Sequence, residues 1–549
     1  MHSTSAVTVA SAAPRQIVAR GGRASRRAGA LFVTRVCAGA LIALGVVFVS
    51  ACTSEPASTG SQPTGDTPPA AAHPEQALID DLVLANRILA KELGILDTRG
   101  HTSARSQINP NHYFMPRFLS PGAVTADDII ENDLDSNAVD GPRNDQARET
   151  HLHGQIYQAR PDVMAIVHSH TPEFVAFAMS SVPLWYGENR VPVFDIRPVN
   201  DGRPGIIGAP GLGRAMAETL GDREAVLLWG HGVAVTGRSL PELVTRADDL
   251  RDTARLQQAV KAMGGTWKPA MRRVTEPGSR DVDRAWAYMK ELMLDAAGGQ
   301  IPAAQPPPLP RPADPDEGAR ADLVYANRIL ASESVGALDA FGHVSVRSPS
   351  DPDSYFIAPD VSAGVVTASD IVRRNMNDAG DPQLSMHDEV YKARPDVMAI
   401  VYAHTPEVIA LTEGAVQLRP VVNAGSFLSD GFPVFDVGRL DPEQPILANP
   451  ALGRSVADAL GDSRGVLLTG HGFVLTSSSL YQLMYGAYAM RMNALIQQQA
   501  IALGGTVAHL DDVPVTPPPP PPVGQPSPPQ LGPPEGRDWI YWRDGIDLD

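Results

Sequence analysis

Cysteine is nearly absent: the 549 residues hold two, Cys37 and Cys52. No disulfide framework can staple the body of the protein, whose folded parts must rest on packed cores. Aromatic residues are scarce, at 6%. Acidic residues are missing from residues 1–51, which carry Arg15, Arg20, Arg23, Arg26, Arg27 and Arg35 and leave the rest of the chain at a formal −23. So acidic a body excludes sequence-independent nucleic-acid binding, which runs on clustered Lys and Arg. The uncharged apolar run at residues 36–51 has 16 residues, short of the about 20 that a membrane helix needs but suited to an export signal.

Apolar residues are plentiful at 43%, which excludes wholesale disorder. The length predicts more than one folded unit. Fifty prolines punctuate it: five fall between Cys52 and Pro74, seven between Pro302 and Pro315, and twelve between Pro514 and Pro534. Such stretches favour extended, solvated backbone and read as a tether, a hinge and a tail. At the amino terminus, Val49-Ser50-Ala51-Cys52 closes the apolar run and resembles the bacterial lipoprotein box, whose cysteine is lipidated. This predicts an exported protein, lipid-anchored through Cys52 to a bacterial membrane on its periplasmic or cell-surface side; an uncleaved signal anchor is the alternative.

The body is a tandem duplication. Asp81-Leu-Val-Leu-Ala-Asn-Arg-Ile-Leu89 recurs as Asp322-Leu-Val-Tyr-Ala-Asn-Arg-Ile-Leu330, and Gly100-His-Thr-Ser-Ala-Arg105 as Gly342-His-Val-Ser-Val-Arg347. Residues 159–167 return unchanged at 393–401, and Leu228-Trp-Gly-His-Gly232 returns as Leu468-Thr-Gly-His-Gly472. The order is kept and the offset stays between 234 and 242. The predicted organisation is a signal at 1–51, a tether at 52–76, a domain at 77–298, a Pro-rich linker at 299–317, a second domain at 318–508 and a Pro-rich, aromatic tail at 509–549.

Within each copy, helical and strand patterns alternate. Leu82, Ala85, Ile88 and Leu89 recur at helical spacing. Residues 163–167 and 225–228 read as buried strands, and residues 212–219 and 241–263 as helices. The expected class is α/β, a sheet covered by helices.

Histidines carry the chemistry. In the first copy Glu149-Thr-His-Leu-His153 precedes His168-Ser-His170 and Gly230-His231-Gly232. Imidazoles at i and i+2 of a strand project to one side, where they can share one metal ion. Spacing alone equally allows a pair of hydrogen-bonded histidines at a strand end. With Arg160-Pro-Asp162, the full set resembles the class II aldolase/adducin family, over both copies. That family holds sugar-phosphate aldolases, an epimerase, dehydratases and a decarboxylase, alongside the non-enzymatic adducins.

The resemblance implies two tandem three-layer α/β/α domains, each a central mixed or mostly antiparallel sheet covered by helices. It implies a divalent metal, zinc or else manganese, on Glu149, His168, His170 and His231, with Glu149 also the catalytic proton shuttle. The implied activity is a metal-dependent lyase of aldolase type, acting on a small hydroxy-carbonyl or hydroxy-acid. A decarboxylase or epimerase on the same metal, and an adducin-like scaffold, are the rival readings.

The second copy departs from the pattern. Gln383 stands where Glu149 does and Tyr402 where His168 does, while His404 and His471 remain. An amide and a phenol do not readily replace a carboxylate and an imidazole on zinc, so this copy is expected to hold no catalytic metal and to pack against the first. Family enzymes resemble rings of four with an acid lent by the neighbour. This predicts a homo-oligomer, two chains making a pseudo-fourfold ring in which the second copy lends residues to the intact site; Tyr288 and Tyr541 read as anchoring contacts, with the lent acid as the alternative. Gly100-His101 and Ala147-Arg148 stand where sugar-phosphate members carry Gly-Asn and Ser-Ser, which disfavours a phosphorylated substrate. Ser103 and Arg148 are the expected substrate contacts, and Arg143 a further partner for a carboxylate. His151 and His153 read as structural.

Overall fold

The computed structural model describes residues 73–269, 279–296, 299–300, 311–378, 384–414, 416–437, 450–512, 538–539 and 542–543. The expected leader, Cys52, most of the tether, Gln383 and Tyr541 lie outside the described residues. Among those described, no helix is long and apolar enough to cross a membrane.

The first copy opens with α1 (Gln76–Arg87), followed by β1 (His101–Arg105), β2 (His112–Pro116), β3 (Ile129–Asp133) and α2 (Thr150–Ala159). Next come β4 (Ala165–Ser169), α3 (Pro172–Met179), the small hairpin of β5 (Trp185–Tyr186) and β6 (Asn189–Arg190), and β7 (Val193–Phe194). It closes with α4 (Pro210–Leu220), β8 (Ala225–Leu228), β9 (Gly232–Gly237), α5 (Leu240–Ala262) and α6 (Arg280–Ala296). The second copy repeats the plan: α7 (Pro315–Ala331), β10 (His343–Arg347), β11 (Ser354–Ile357), β12 (Val372–Asn375), α8 (Ser385–Ala393) and β13 (Ala399–Ala403). There follow α9 (Pro406–Glu413), β14 (Val434–Phe435), α10 (Pro450–Leu460), β15 (Gly465–Leu468), β16 (Gly472–Ser477) and α11 (Leu480–Ala502).

Each copy builds one seven-stranded sheet, in the orders β3-β2-β1-β4-β9-β8-β7 and β12-β11-β10-β13-β16-β15-β14. Only the edge pairs β7–β8 and β14–β15 are parallel. Side chains alternate across the first sheet. Ala104, Val167, Leu227 and Val235 share a core with α1, α3 and α5, whereas Tyr113, Ile166, Val226 and Ala234 share one with α2 and α4. Burial on both faces is why these strands read as near-continuous apolar runs, and each large apolar side chain so buried contributes about 1.5–3 kcal/mol. The strand expected at 163–167 begins at Ala165 and continues to Ser169, so His168 sits inside it.

The copies pack directly on one another. Val175 and Met179 on α3 and Trp229 after β8 share a core with Val422, Ile496 and Leu510. The Asn423 amide donates to the Gly230 carbonyl at 2.8 Å, and the Ala508 amide to the Met179 carbonyl at 2.8 Å. Two further pieces play matching parts. Trp286 and Met293 of α6 join the core of the first copy, and Trp539 and Trp542 of the tail join that of the second. Trp539 stands against Tyr325 of α7, and Trp542 against Tyr488 of α11.

Candidate metal centre

Four side chains meet where α2, β4 and the β8–β9 turn converge. Glu149 is the N-cap residue of α2, His168 lies in β4 with His170 one residue beyond it, and His231 occupies the turn. One ligand atom from each lies within 4.8 Å of the others, the only such cluster among the described residues. His168 Nε2 is 3.1 Å from His170 Nε2, and Glu149 Oε2 is 3.4 Å from His168 Nε2 and 3.5 Å from His231 Nε2. The turn demands its glycines. Gly230 has φ +63°, and a Cβ on Gly232 would lie 2.1 Å from the Ser169 carbonyl oxygen, so only glycine lets β9 start beside β4. These glycines serve strand pairing.

Hydrogen bonds orient the ligands. His168 Nδ1 lies 3.0 Å from the Val233 carbonyl; that oxygen can only accept, so Nδ1 carries the proton. His170 Nδ1 lies 2.9 Å from Asp97 Oδ1, with the same result. In the neutral form of both rings, two nitrogen lone pairs face each other across 3.1 Å, an arrangement that suits a cation between them. Three imidazole nitrogens and a carboxylate oxygen fit a divalent ion of zinc type. Burial alone would raise the Glu149 pKa, but the His231 and His168 imidazoles hold it well below the carboxylate range. Its Oε1 accepts from the Ile207 amide at 2.9 Å. Asp97 is half-buried, and although desolvation would raise its pKa, His170 together with the Gly100 and Arg99 amides holds it well below its ordinary value.

The expected substrate contacts part company. Arg148 lines the cavity in front of the ligands, its guanidinium 5.5 Å from the centre of the Phe118 ring. Ser103 does not: fully buried in β1, its hydroxyl lies 2.6 Å from His153 Nδ1 and 2.8 Å from the Tyr157 hydroxyl. Ser345 makes the same pair of contacts with His387 and Tyr391 in the copy that lost the ligands, which marks the trio as scaffold. Arg143 is spent on Asp140 and Asp145 at the surface. Tyr288 is 60% exposed on the outside of α6. His151 lies on α2 outside the cluster. His153 is fully buried, and burial with the charge of His168 pushes it down to about 3.

The cavity encloses about 160 Å³ between the two copies. The first contributes Glu149, His170, His231, Arg99, Arg148 and Phe118; the second contributes Asn423, Tyr485, Tyr488, Met492 and Ile496. A contribution from the second copy was expected from the sequence, but not these residues. Their signal was present: 485, 488, 492 and 496 form one stripe of a helix, where the first copy has Thr245, Asp248, Asp252 and Leu256. Burial pushes the Tyr488 phenol well above its ordinary pKa, with the charges of Asp97 and Asp538 adding to the rise.

In the second copy Tyr402 fills the corresponding space. Its hydroxyl lies 2.6 Å from His404 Nε2, and His404 Nδ1 lies 3.1 Å from Asp339, the counterpart of Asp97.

Comparison with known proteins places these observations in context. The sequence model described as Class II Aldolase and Adducin N-terminal domain matches residues 80–258 and 321–498. Decarboxylase tropJ of Talaromyces stipitatus is 32% identical over 196 residues, covering 32% of this chain and 74% of that protein. A 3,4-dihydroxyphthalate decarboxylase of Rhodococcus jostii is 28% identical over 218 residues, covering 36% and 86%. Among solved structures, an aldolase II superfamily protein from Pseudomonas syringae matches at 22% identity and TM-score 0.35, over 41% of this chain and 94% of that one.

Proposed function

The chain belongs to the class II aldolase and adducin family, and from that premise we propose a divalent-metal-dependent lyase that decarboxylates a small hydroxylated carboxylic acid. The observation that carries the reading is the quartet of Glu149, His168, His170 and His231 at one end of a cavity with apolar and aromatic walls. A scaffold has no physical need for either. Relatives named as decarboxylases favour loss of CO₂ over the aldol cleavage expected from the sequence.

Those four residues would hold the ion, which when bound supplies a Lewis acid for the negative charge that develops as a carbon–carbon bond breaks. Arg148 offers a guanidinium to the substrate's oxygens. Phe118, Met492 and Ile496 exclude water and fit a flat apolar body. Loss of CO₂ leaves the bond's electron pair on carbon. Tyr488, its phenol kept protonated, donates a proton to that carbon and recovers one from solvent.

The test pairs metal analysis with product analysis. Zinc-loaded wild type is expected to hold about one ion per chain and to release CO₂ from 3,4-dihydroxyphthalate or 3,4-dihydroxybenzoate, and His168→Ala to do neither. Trace metal in the wild type ends the enzymatic reading. Metal without turnover leaves the scaffold, and an aldehyde product from a hydroxy-carbonyl compound restores aldol cleavage.

A further inference from the structure

The tail brings a carboxylate onto Arg99, a residue that lines the metal cavity. Asp538 lies beyond the third proline cluster, yet its side chain is 1% exposed. Arg99 Nη2 donates to its Oδ2 at 2.9 Å, the Tyr481 hydroxyl donates to the same oxygen at 3.2 Å, and the Thr98 hydroxyl donates to Oδ1. Thr98 and Arg99 come from the first copy and Tyr481 from α11 of the second. Thr98 directly follows Asp97, the residue that orients His170. Arg99 also stacks 4.0 Å over Tyr485, and both residues line the metal cavity and a second cavity of about 730 Å³ beside it.

Three donors converging on one carboxylate from two domains amount to a built anion receptor. Nothing in the fold requires the occupant to be covalently attached. The second copy has Ala340 and Phe341 where the first has Thr98 and Arg99, so the receptor exists only beside the intact quartet.

We propose that Thr98, Arg99 and Tyr481 form a carboxylate-binding subsite of the metal cavity, and that Asp538 occupies it as a tethered competitor which the substrate carboxylate displaces. The inference rests on the proposed carboxylic-acid substrate. Trp539 and Trp542, each 4% exposed against the second copy, hold the tail in place until a soluble acid outcompetes it. Tethering gives the Asp538 carboxylate an effective concentration on the order of millimolar, so an acid must be abundant or must gain contacts on the cavity walls to bind. The tail thus sets a threshold for occupancy and screens out simple carboxylates.

The experiment measures binding of 3,4-dihydroxybenzoate by calorimetry, and release of the tail by hydrogen exchange of the C-terminal peptide, on the full chain. Wild type is expected to bind the acid with faster exchange at 538–543, whereas the methyl ester leaves exchange unchanged. Removing the competitor in Asp538→Asn should tighten binding about tenfold, and Arg99→Ala should weaken it about tenfold, the scale of a charged hydrogen bond. If Arg99→Ala does not fold, Tyr481→Phe is read instead, with a smaller loss in the same direction. Equal affinity of wild type and Asp538→Asn, unchanged exchange at saturating acid, or no binding to either protein overturns the proposal. Binding with tail release but no CO₂ defeats the decarboxylase reading alone; CO₂ release with a static tail defeats the subsite alone.

Discussion

The Tyr402 hydroxyl donates to Nε2 of His404 at 2.6 Å, where in the first copy His168 Nε2 faces His170 Nε2 at 3.1 Å with no hydroxyl between them. One copy satisfies its second imidazole internally; the other leaves a site that suits a cation. Metal analysis should therefore give one ion per chain. Tyr402→His alone should not change this, because Gln383 is neutral. The double variant Tyr402→His with Gln383→Glu rebuilds the donor set beside His404 and His471, and should raise the count toward two. A count that stays at one in the folded double variant would show that the second copy has lost more than its ligands.

Asp97 is the residue through which orientation can be tested apart from ligation. It accepts from His170 Nδ1 at 2.9 Å and from the Gly100 amide at 2.8 Å. Asp97→Asn keeps the size and loses the charge that fixes the His170 tautomer. Zinc affinity by competitive titration should fall about 10–100-fold, the usual cost of losing such an outer partner. Unchanged affinity removes Asp97 from this role.

The quartet was legible in the sequence because its geometry is local: two histidines on one strand and one in a Gly-His-Gly turn need only a sheet to meet. Ser103 was misassigned because all five residues of β1 are buried, so no polar alternation tells one face from the other. Tyr485 and Tyr488 escaped because they reach the site from the other copy, more than 300 residues after Glu149, through a packing that no motif announces. The repeat itself, read from identical segments, fixed the expectation of two equal sheets, and the seven-stranded pair has one strand order.

The interface between the copies bears on assembly. The first copy offers Val175, Met179 and Trp229, and the second offers Val422 and Ile496 in return. A two-chain ring needs the same contact a second time, between the opposite faces. There the second copy has Ile409, Glu413 and Thr469 in the places of Val175, Met179 and Trp229, and the first has Leu256 in that of Ile496, flanked by Asp252 and Lys261. Glu413 is exposed and would be buried by ring closure, at a cost of several kcal/mol unless paired. Sedimentation should accordingly give the mass of one chain, against the ring expected from the family resemblance. A stable two-chain species would return that ring. Trp229→Ala should lower stability by about 3–5 kcal/mol.

Export and anchoring rest on the sequence before residue 73. Wild type produced in a bacterium is expected to partition into detergent and to carry a mass increment of lipid at Cys52, and Cys52→Ser to stay in the aqueous phase. A protein that remains aqueous with an intact leader removes the anchor from the account.

His387 sets a pH dependence far from the metal ligands. It is fully buried in α8, with Nδ1 2.8 Å from the Ser345 hydroxyl and Nε2 without a hydrogen-bond partner among the described residues. Burial, then the charges of His343 and Arg374, lowers it well below its ordinary 6.5; the Tyr355 ring stacked 6.2 Å away is neutral at these pH values. The folded state thus refuses a proton that the unfolded chain accepts below 6.5. Stability is full above that value and falls as pH drops beneath it, by up to about 1.4 kcal/mol per pH unit for one such group. His153, pushed down to about 3, adds a second slope of the same sign down to that pH. Urea midpoints should therefore hold between pH 7.5 and about 6.5 and decline from there to pH 5, and His387→Asn should lose one proton's share of that slope whatever it costs at pH 7.5. An unaltered slope in that variant means that the imidazole finds a way to charge inside the fold.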